Sequence, residues 1–193
     1  MSSIEAAASG DTIPDGCTVI EVRVSELLQL FNSIDPAPFR ERDLDPAVEE
    51  FIVDWSREAP TNAPLALLVR IDRPANSADG ADVVREAIHE FFAQRAIAAR
   101  RRLRRLFRYG RISLVIGLAV LTIFLVAAQF VFRRTGSTAL SGVFHESLLI
   151  GGWVAMWRPL EVFLYDWWPI RAESRLFDRL ARMPVRLSYT AAG

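Results

Sequence analysis

The sequence contains no lysine: all 23 basic residues are arginine, set against 23 acidic ones, and there are only two histidines and one cysteine. Each shortage removes a class of chemistry. A lone Cys17 can neither close an internal disulfide nor find a resolving partner, so its expected role is a small buried side chain just ahead of a strand. With two histidines, one cysteine and no nucleophile elbow, no residues can be singled out as a catalytic triad. A glycine-rich phosphate loop is missing, which leaves nucleotide binding without support, and no cofactor is expected. Met1 to Asp15 is small, polar and acidic, unlike a secretory signal, so this end is expected to stay in the cytoplasm.

What is present is a segregation hidden by a net charge of zero. Residues 1–94 hold 18 acidic side chains and 7 Arg, a balance of −11, whereas residues 95–193 hold 16 Arg and 5 acidic side chains, a balance of +11. Halves of opposite sign point to one end in solvent and the other at a membrane or polyanion. A 51% hydrophobic content argues against a disordered chain.

Ile112 to Phe132 (ISLVIGLAVLTIFLVAAQFVF) has no charge over 21 residues, and a helix needs about 20 such residues to cross the hydrocarbon core. A second apolar stretch runs from Ala139 to about Tyr165 around the centre Ser147–Trp157. Eleven residues rise only about 16 Å as a helix, so the span must extend. Extension one way takes in His145 and Glu146, and the other way Arg158 and Glu161. Gly151-Gly152 permits close approach of a neighbouring helix, most simply the first span.

Arginines flank these spans unequally. Arg100, Arg101, Arg102, Arg104, Arg105, Arg108 and Arg111 precede the first, and Arg171, Arg175, Arg179, Arg182 and Arg186 follow the second, while only Arg133 and Arg134 lie between. The bias places both termini in the cytoplasm and the short connection on the far side. Trp153, Trp157, Trp167, Trp168 and Tyr165 read as an interfacial aromatic belt.

In the soluble part, Thr18–Val24 alternates as a half-buried strand does, and Pro64–Asp72 is a more continuously apolar strand. Ser25 is placed to cap a short helix through Phe31. Asp45 and Pro46 suit the start of a second helix, whose Val48, Phe51, Ile52 and Trp55 make an apolar face. A third helix begins near Asp82, with Val84, Ala87, Ile88, Phe91 and Phe92 on its early face, and is expected to continue through the arginines into the first span. The fold class is thus an α+β cytoplasmic domain of order β-α-α-β-α, with a parallel strand pair, fused to a two-helix transmembrane hairpin. Two strands make a marginal sheet, and a second copy or a partner is expected to complete it.

The expected divisions are a disordered tail over 1–16, the domain over 17–95, a juxtamembrane helix over 96–111 and a first span over 112–132. An extracytoplasmic loop over 133–146, a second span over 147–165 and an interfacial basic amphipathic helix with a tail over 166–193 follow. That last helix sets Leu176, Phe177, Leu180 and Met183 against Arg175, Arg179 and Arg182, as for lying on an anionic leaflet.

Candidate sites follow from the same residues. The arginines at 100–111 are better explained by topology and anionic lipid headgroups than by nucleic acid, because a span follows them directly. Glu86-x-x-His89 has the spacing of a di-iron ligand pair, but no second copy exists and no metal is expected. His145, Glu146, Arg158 and Glu161 are the polar membrane candidates, since charge at membrane depth is costly; interface anchoring is favoured over a transport path. The segment from Asp35 to Pro46, with Phe39, Arg40, Arg42 and Asp43, is either a rigid partner loop or a self-satisfied turn.

The stretches LFNSIDPAPFRERDLDPAVEEFIVDW, LRRLFRYGRISLVIGL and GWVAMWRPLEVFLYDWWPI resemble a group of small bacterial two-span inner-membrane proteins of uncharacterised activity. The likeness covers most of residues 18–187 and implies a bacterial inner-membrane protein, but no activity, ligand or catalytic residue. The expected function is a non-catalytic membrane anchor or adaptor that contacts lipid and an unidentified protein partner or its own copies. The alternative is a homo-oligomeric channel or transporter subunit; an enzyme acting on a membrane-bound substrate ranks third, with no residues to carry it.

Overall fold

Alternation of apolar and charged side chains sets the sheet. A computed structural model of the chain describes residues 8–34, 42–60, 63–72, 80–135 and 139–189. In strand β2 (Thr18–Val24), Ile20, Val22 and Val24 are buried and Glu21 and Arg23 exposed. Strand β3 (Leu65–Ile71) lies parallel to it and is more deeply buried. Two further strands complete the sheet, β1 (Ala8–Gly10) and β4 (Val185–Tyr189), in the order β1-β4-β3-β2. Strand β4 is parallel to β3, and β1 is antiparallel to β4. Register places Ile20, Leu67 and Val185 in one row and Val22, Val69 and Leu187 in the next, all buried. The opposite face carries the Arg70–Glu21 ion pair at 2.6 Å and the Arg23–Asp72 pair at 3.1 Å.

Among the described residues the chain also forms four helices, α1 (Pro46–Glu58), α2 (Gly80–Thr135), α3 (Ala139–Glu161) and α4 (Trp167–Leu180), with a π-helical turn at Val162–Asp166 between the last two. Asp45 Oδ1 accepts from the Ala47 amide at 2.9 Å and Pro46 opens α1, as the sequence predicts. The apolar sheet face is covered by helix residues that are themselves buried: Ile52 and Val53 of α1, Val84, Ala87, Ile88 and Phe92 of α2, and Phe177 and Leu180 of α4. Phe92 stacks on Phe177 with centroids 6.3 Å apart, Arg95 of α2 bonds Glu49 of α1, and His89 Nε2 lies 2.8 Å from the Met183 carbonyl.

Several expectations change. The sheet has four strands, and the missing partners come from the chain itself rather than from another copy. Part of the supposed disordered tail over 1–16 is strand β1. Gly10 has φ +105°, and a Cβ there would lie 2.7 Å from the Val185 carbonyl, so glycine is required. Asp11 follows and ties three elements: its backbone N–H donates to Val185 O at 3.0 Å, its Oδ2 accepts from the Val185 N–H at 3.3 Å, and its Oδ1 accepts from Arg85 of α2 at 2.9 Å.

The first helix is only a 3₁₀ turn at Leu27–Leu30, and Gln29 Oε1 accepts from the Ser25 amide where a Ser25 side-chain cap was expected. Helix α1 buries Ile52, Val53 and Ser56, while Phe51 and Trp55 are exposed and pack on each other at 6.1 Å. Ser56 can turn inward because its hydroxyl donates to Val53 O at 2.7 Å. Most of the loop expected over 133–146 is helical, since α2 reaches Thr135 and α3 starts at Ala139.

The largest revision concerns residues 166–193. Phe177, Leu180 and Met183 are buried in protein, and the chain then enters the sheet as β4 instead of lying on a lipid surface. One compact unit therefore comprises Met1–Ala98 with Glu173–Gly193, and a second comprises Ala99–Ala172, inserted within the first in chain order.

Candidate functional site

The second unit is dominated by helix residues that display, rather than hide, their apolar side chains. Ile112, Val115, Ile116, Leu118, Ile123, Val126 and Phe130 of α2 are exposed, as are Val143, Phe144, Ile150, Trp153 and Trp157 of α3. Two helical runs, Ala81–Val131 and Gly142–Leu180, are long and apolar enough to cross a membrane. Only 11% and 17% of their most apolar windows are buried, the opposite of a core helix in a soluble protein.

Glycine lets the two helices approach. A Cβ on Gly152 would meet Leu121 Cδ1 at 2.8 Å, one on Gly151 would meet Phe124 at 2.7 Å, and one on Gly110 would meet Val162 at 2.8 Å. A Cβ on Gly117 would lie 3.1 Å from the carbonyl of Ala155. That carbonyl is the one Pro159, four residues on, leaves without its helical N–H donor. Partner numbers fall on α3 as they rise on α2, so the pair is antiparallel, and the close approach expected of Gly151-Gly152 is present.

The polar candidates fall at two separate levels. His145 and Glu146 lie inside α3, and thirteen residues further on stands Arg158, about 20 Å away by helical rise. They do not form one cluster. Arg158 Nη1 lies 2.9 Å from Glu161 Oε2 and 3.7 Å from Asp166 Oδ2. Asp166 sits in the π-helical turn, beyond the reach of a spacing rule for regular helices, and sequence reasoning passed over it.

Arg100, Arg101, Arg102, Arg104, Arg105, Arg108 and Arg111 are all exposed on α2. Between them, Leu103, Leu106 and Phe107 are half-buried, and Phe107 meets Phe163 and Trp167 at 6.2 and 6.5 Å. Trp167 donates its indole N–H to Phe163 O at 2.9 Å, and Arg171 stacks over the same ring at 5.6 Å. Arg102, Arg105, Leu106 and Tyr109 occupy one face of α2 and, with Asp166, Pro169 and Ile170, line a cavity of about 420 Å³. Tyr109 too went unremarked in the sequence, where nothing marked it as facing a second helix.

The remaining candidates serve other ends. Arg179 donates to the carbonyls of Ala63 at 2.6 Å and Pro60 at 3.4 Å, so the lipid role expected of it is replaced by a bond within the first unit. Arg175 is exposed. Asp35, Phe39 and Arg40 lie outside the described residues; Arg42 is half-buried and Asp43 exposed. The base of that segment is pinned by buried Leu30, Phe31 and Leu44, with the Asn32 amide donating to Asp43 O at 2.8 Å. No group of three or more His, Cys, Asp or Glu able to hold a metal occurs among the described residues. No family model matches the chain, and neither a curated protein nor a solved structure matches it.

Proposed function

We propose that the chain is a two-span bacterial inner-membrane protein with both ends of its hairpin on the cytoplasmic side, acting as a non-catalytic anchor or adaptor that presents an acidic α+β domain. The observation that carries this reading is the place of β4. The last strand pairs with β3 on one side and β1 on the other, so one folded unit needs chain from before and after the apolar hairpin. A unit built that way requires an even number of crossings, because both of its pieces must reach the same compartment. This argument is independent of arginine counting and agrees with it.

Topology is the first thing to test. Alkaline phosphatase inserted between α2 and α3 is expected to be active, and a green fluorescent protein fused after Gly193 to fluoresce; the reverse pattern removes the reading. The adaptor role is opposed by any purified-protein turnover that is lost on replacing one polar residue. The alternative, a homo-oligomeric channel or transporter subunit using Glu146, Arg158 or Glu161, meets the difficulty that Arg158 already has two carboxylate neighbours. Liposome ion flux that disappears when all three are neutralised would favour it over the anchor.

A further inference from the structure

We propose that the cavity lined by Arg102, Arg105 and Tyr109 of α2 and by Pro169 and Ile170 of α4 binds the phosphate of an anionic phospholipid, with the root of its acyl chains against Leu106 and Ile170. The inference rests on the membrane reading above and gives it a discrete site.

Three observations converge. Arg102 and Arg105 stand one helical turn apart facing one cavity, and no carboxylate pairs with either among the described residues. Arg101, Arg104, Arg108 and Arg111 are also exposed without a carboxylate partner among the described residues, so what sets Arg102 and Arg105 apart is the cavity they share. Asp166, the acidic residue on the cavity wall, shares Arg158 with Glu161, and even with its full charge counted the cavity sets two guanidiniums against one carboxylate, a net positive site. An anion with several acceptor oxygens satisfies them, and guanidinium suits phosphate.

The walls narrow the class of anion. Leu106, Pro169, Ile170 and the Tyr109 ring are apolar or amphipathic, as a lipid with a charged head and hydrocarbon root requires and a free phosphate does not. The cavity is an open groove of about 420 Å³ rather than an enclosed pocket, which leaves the rest of a lipid outside it. Depth agrees as well. By helical rise, Tyr109 lies about 5 Å and Arg105 about 10 Å before Ile112, which starts the uncharged stretch, so the cavity falls at headgroup level when that stretch is embedded. Basic pockets between helices at the cytoplasmic interface are recognised headgroup sites.

The test uses the full chain in phosphatidylcholine nanodiscs doped with a fluorescent phosphatidylglycerol, read as the apparent Kd for the labelled lipid. R102Q/R105Q is expected to weaken binding at least about tenfold, and R104Q/R108Q, which removes the same charge outside the cavity, less than about twofold. L106W, which fills the cavity without changing charge, should also weaken it. Equal losses in the two double variants would mean a diffuse arginine collar and overturn the site. Displacement of the labelled lipid by glycerol phosphate as readily as by unlabelled phosphatidylglycerol would make it a soluble-anion site and overturn the lipid assignment. Matching circular dichroism of all variants excludes misfolding as the cause. Alkaline carbonate extraction of wild-type membranes separates the two levels: release of the chain defeats the membrane reading itself, whereas retention with equal losses defeats only the cavity.

Discussion

The two units of this chain use similar apolar side chains in opposite ways. Met1–Ala98 with Glu173–Gly193 holds 20 acidic residues against 12 Arg, a balance of −8, and Ala99–Ala172 holds 11 Arg against 3 acidic residues, a balance of +8. The first turns Ile20, Leu67, Val69, Ile88, Phe92 and Leu187 inward to 1% exposure or less, while the second leaves Ile116, Ile123, Val126 and Ile150 more than half exposed. Water drives the first arrangement, whereas the second suits surroundings in which hydrocarbon takes the place of water, as the proposed membrane hairpin would provide. The contacts differ too: large side chains interlock in the first unit, whereas glycines admit neighbouring side chains in the second, the packing expected of helices in a bilayer.

Removing β4 breaks the contrast most severely. A chain ending at Pro184 loses Val185 and Leu187 from the core and leaves β1 and β3 without the strand between them. Domains of this size hold about 5–15 kcal/mol in total, and loss of a central strand exceeds that margin. Limited proteolysis in mild detergent should find residues 8–98 degraded and the helices within 99–172 still resistant. Resistance of both would mean that β4 is dispensable and that the topological argument for the hairpin has no foundation.

A narrower break targets the second unit alone. Gly117→Val places a branched side chain against the Ala155 carbonyl, a backbone atom that cannot swing aside as a side chain can. Overpacking of this kind costs about 1–3 kcal/mol. Dodecyl sulfate titration followed by far-ultraviolet circular dichroism should show earlier loss of the helical pair, with protease resistance of the first unit unchanged.

Much of this division is legible in the residues and part of it is not. Period-two alternation in TVIEVRV marks β2 because one face meets core and the other water, and the charge-free run from Ile112 marks an apolar helix because it carries no polar face to turn towards water. Strand β1 escapes notice because three residues, Ala8, Ser9 and Gly10, carry no periodicity; what defines them is a distant partner and the Asp11 bonds to Val185 and Arg85. Strand β4 escapes for a related reason. The apolar stripe of Phe177, Leu180 and Met183 looks the same whether lipid or protein covers it, and only the tertiary fold decides which. The cavity was legible only in part: Arg102, Arg105 and Leu106 share a helix face by spacing, but nothing marks Tyr109 as facing a second helix, and Asp166 lies within a π-helical turn and Pro169 beyond it, where spacing rules for regular helices do not reach.

Arg179 sharpens the boundary between the two environments. Its guanidinium donates to Ala63 O and Pro60 O, and a charged hydrogen bond to a partly buried carbonyl contributes about 1–2 kcal/mol. Arg179→Gln should lower the chemical stability of the first unit by that amount and leave lipid affinity unchanged. Arg175→Gln, on an exposed residue of the same helix, should shift stability by less than about 0.5 kcal/mol. A reversed order of effects would return this helix to the lipid surface.

The smallest expected effect lies on the open face of the sheet, where Glu21 meets Arg70 at 2.6 Å with about half of each side chain exposed. Water and salt screen such a pair, and long side chains lose freedom in holding it, so its worth is about 0.2–1 kcal/mol despite the short distance. Glu21→Gln keeps the shape and removes the charge, which should lower stability within that range at low salt and by less at high salt. A loss several times larger, insensitive to salt, would mean that the pair is shielded from water and that this face is covered in the working protein. The contrast between the units would then change character, because the water-facing side of the first unit would itself be an interface.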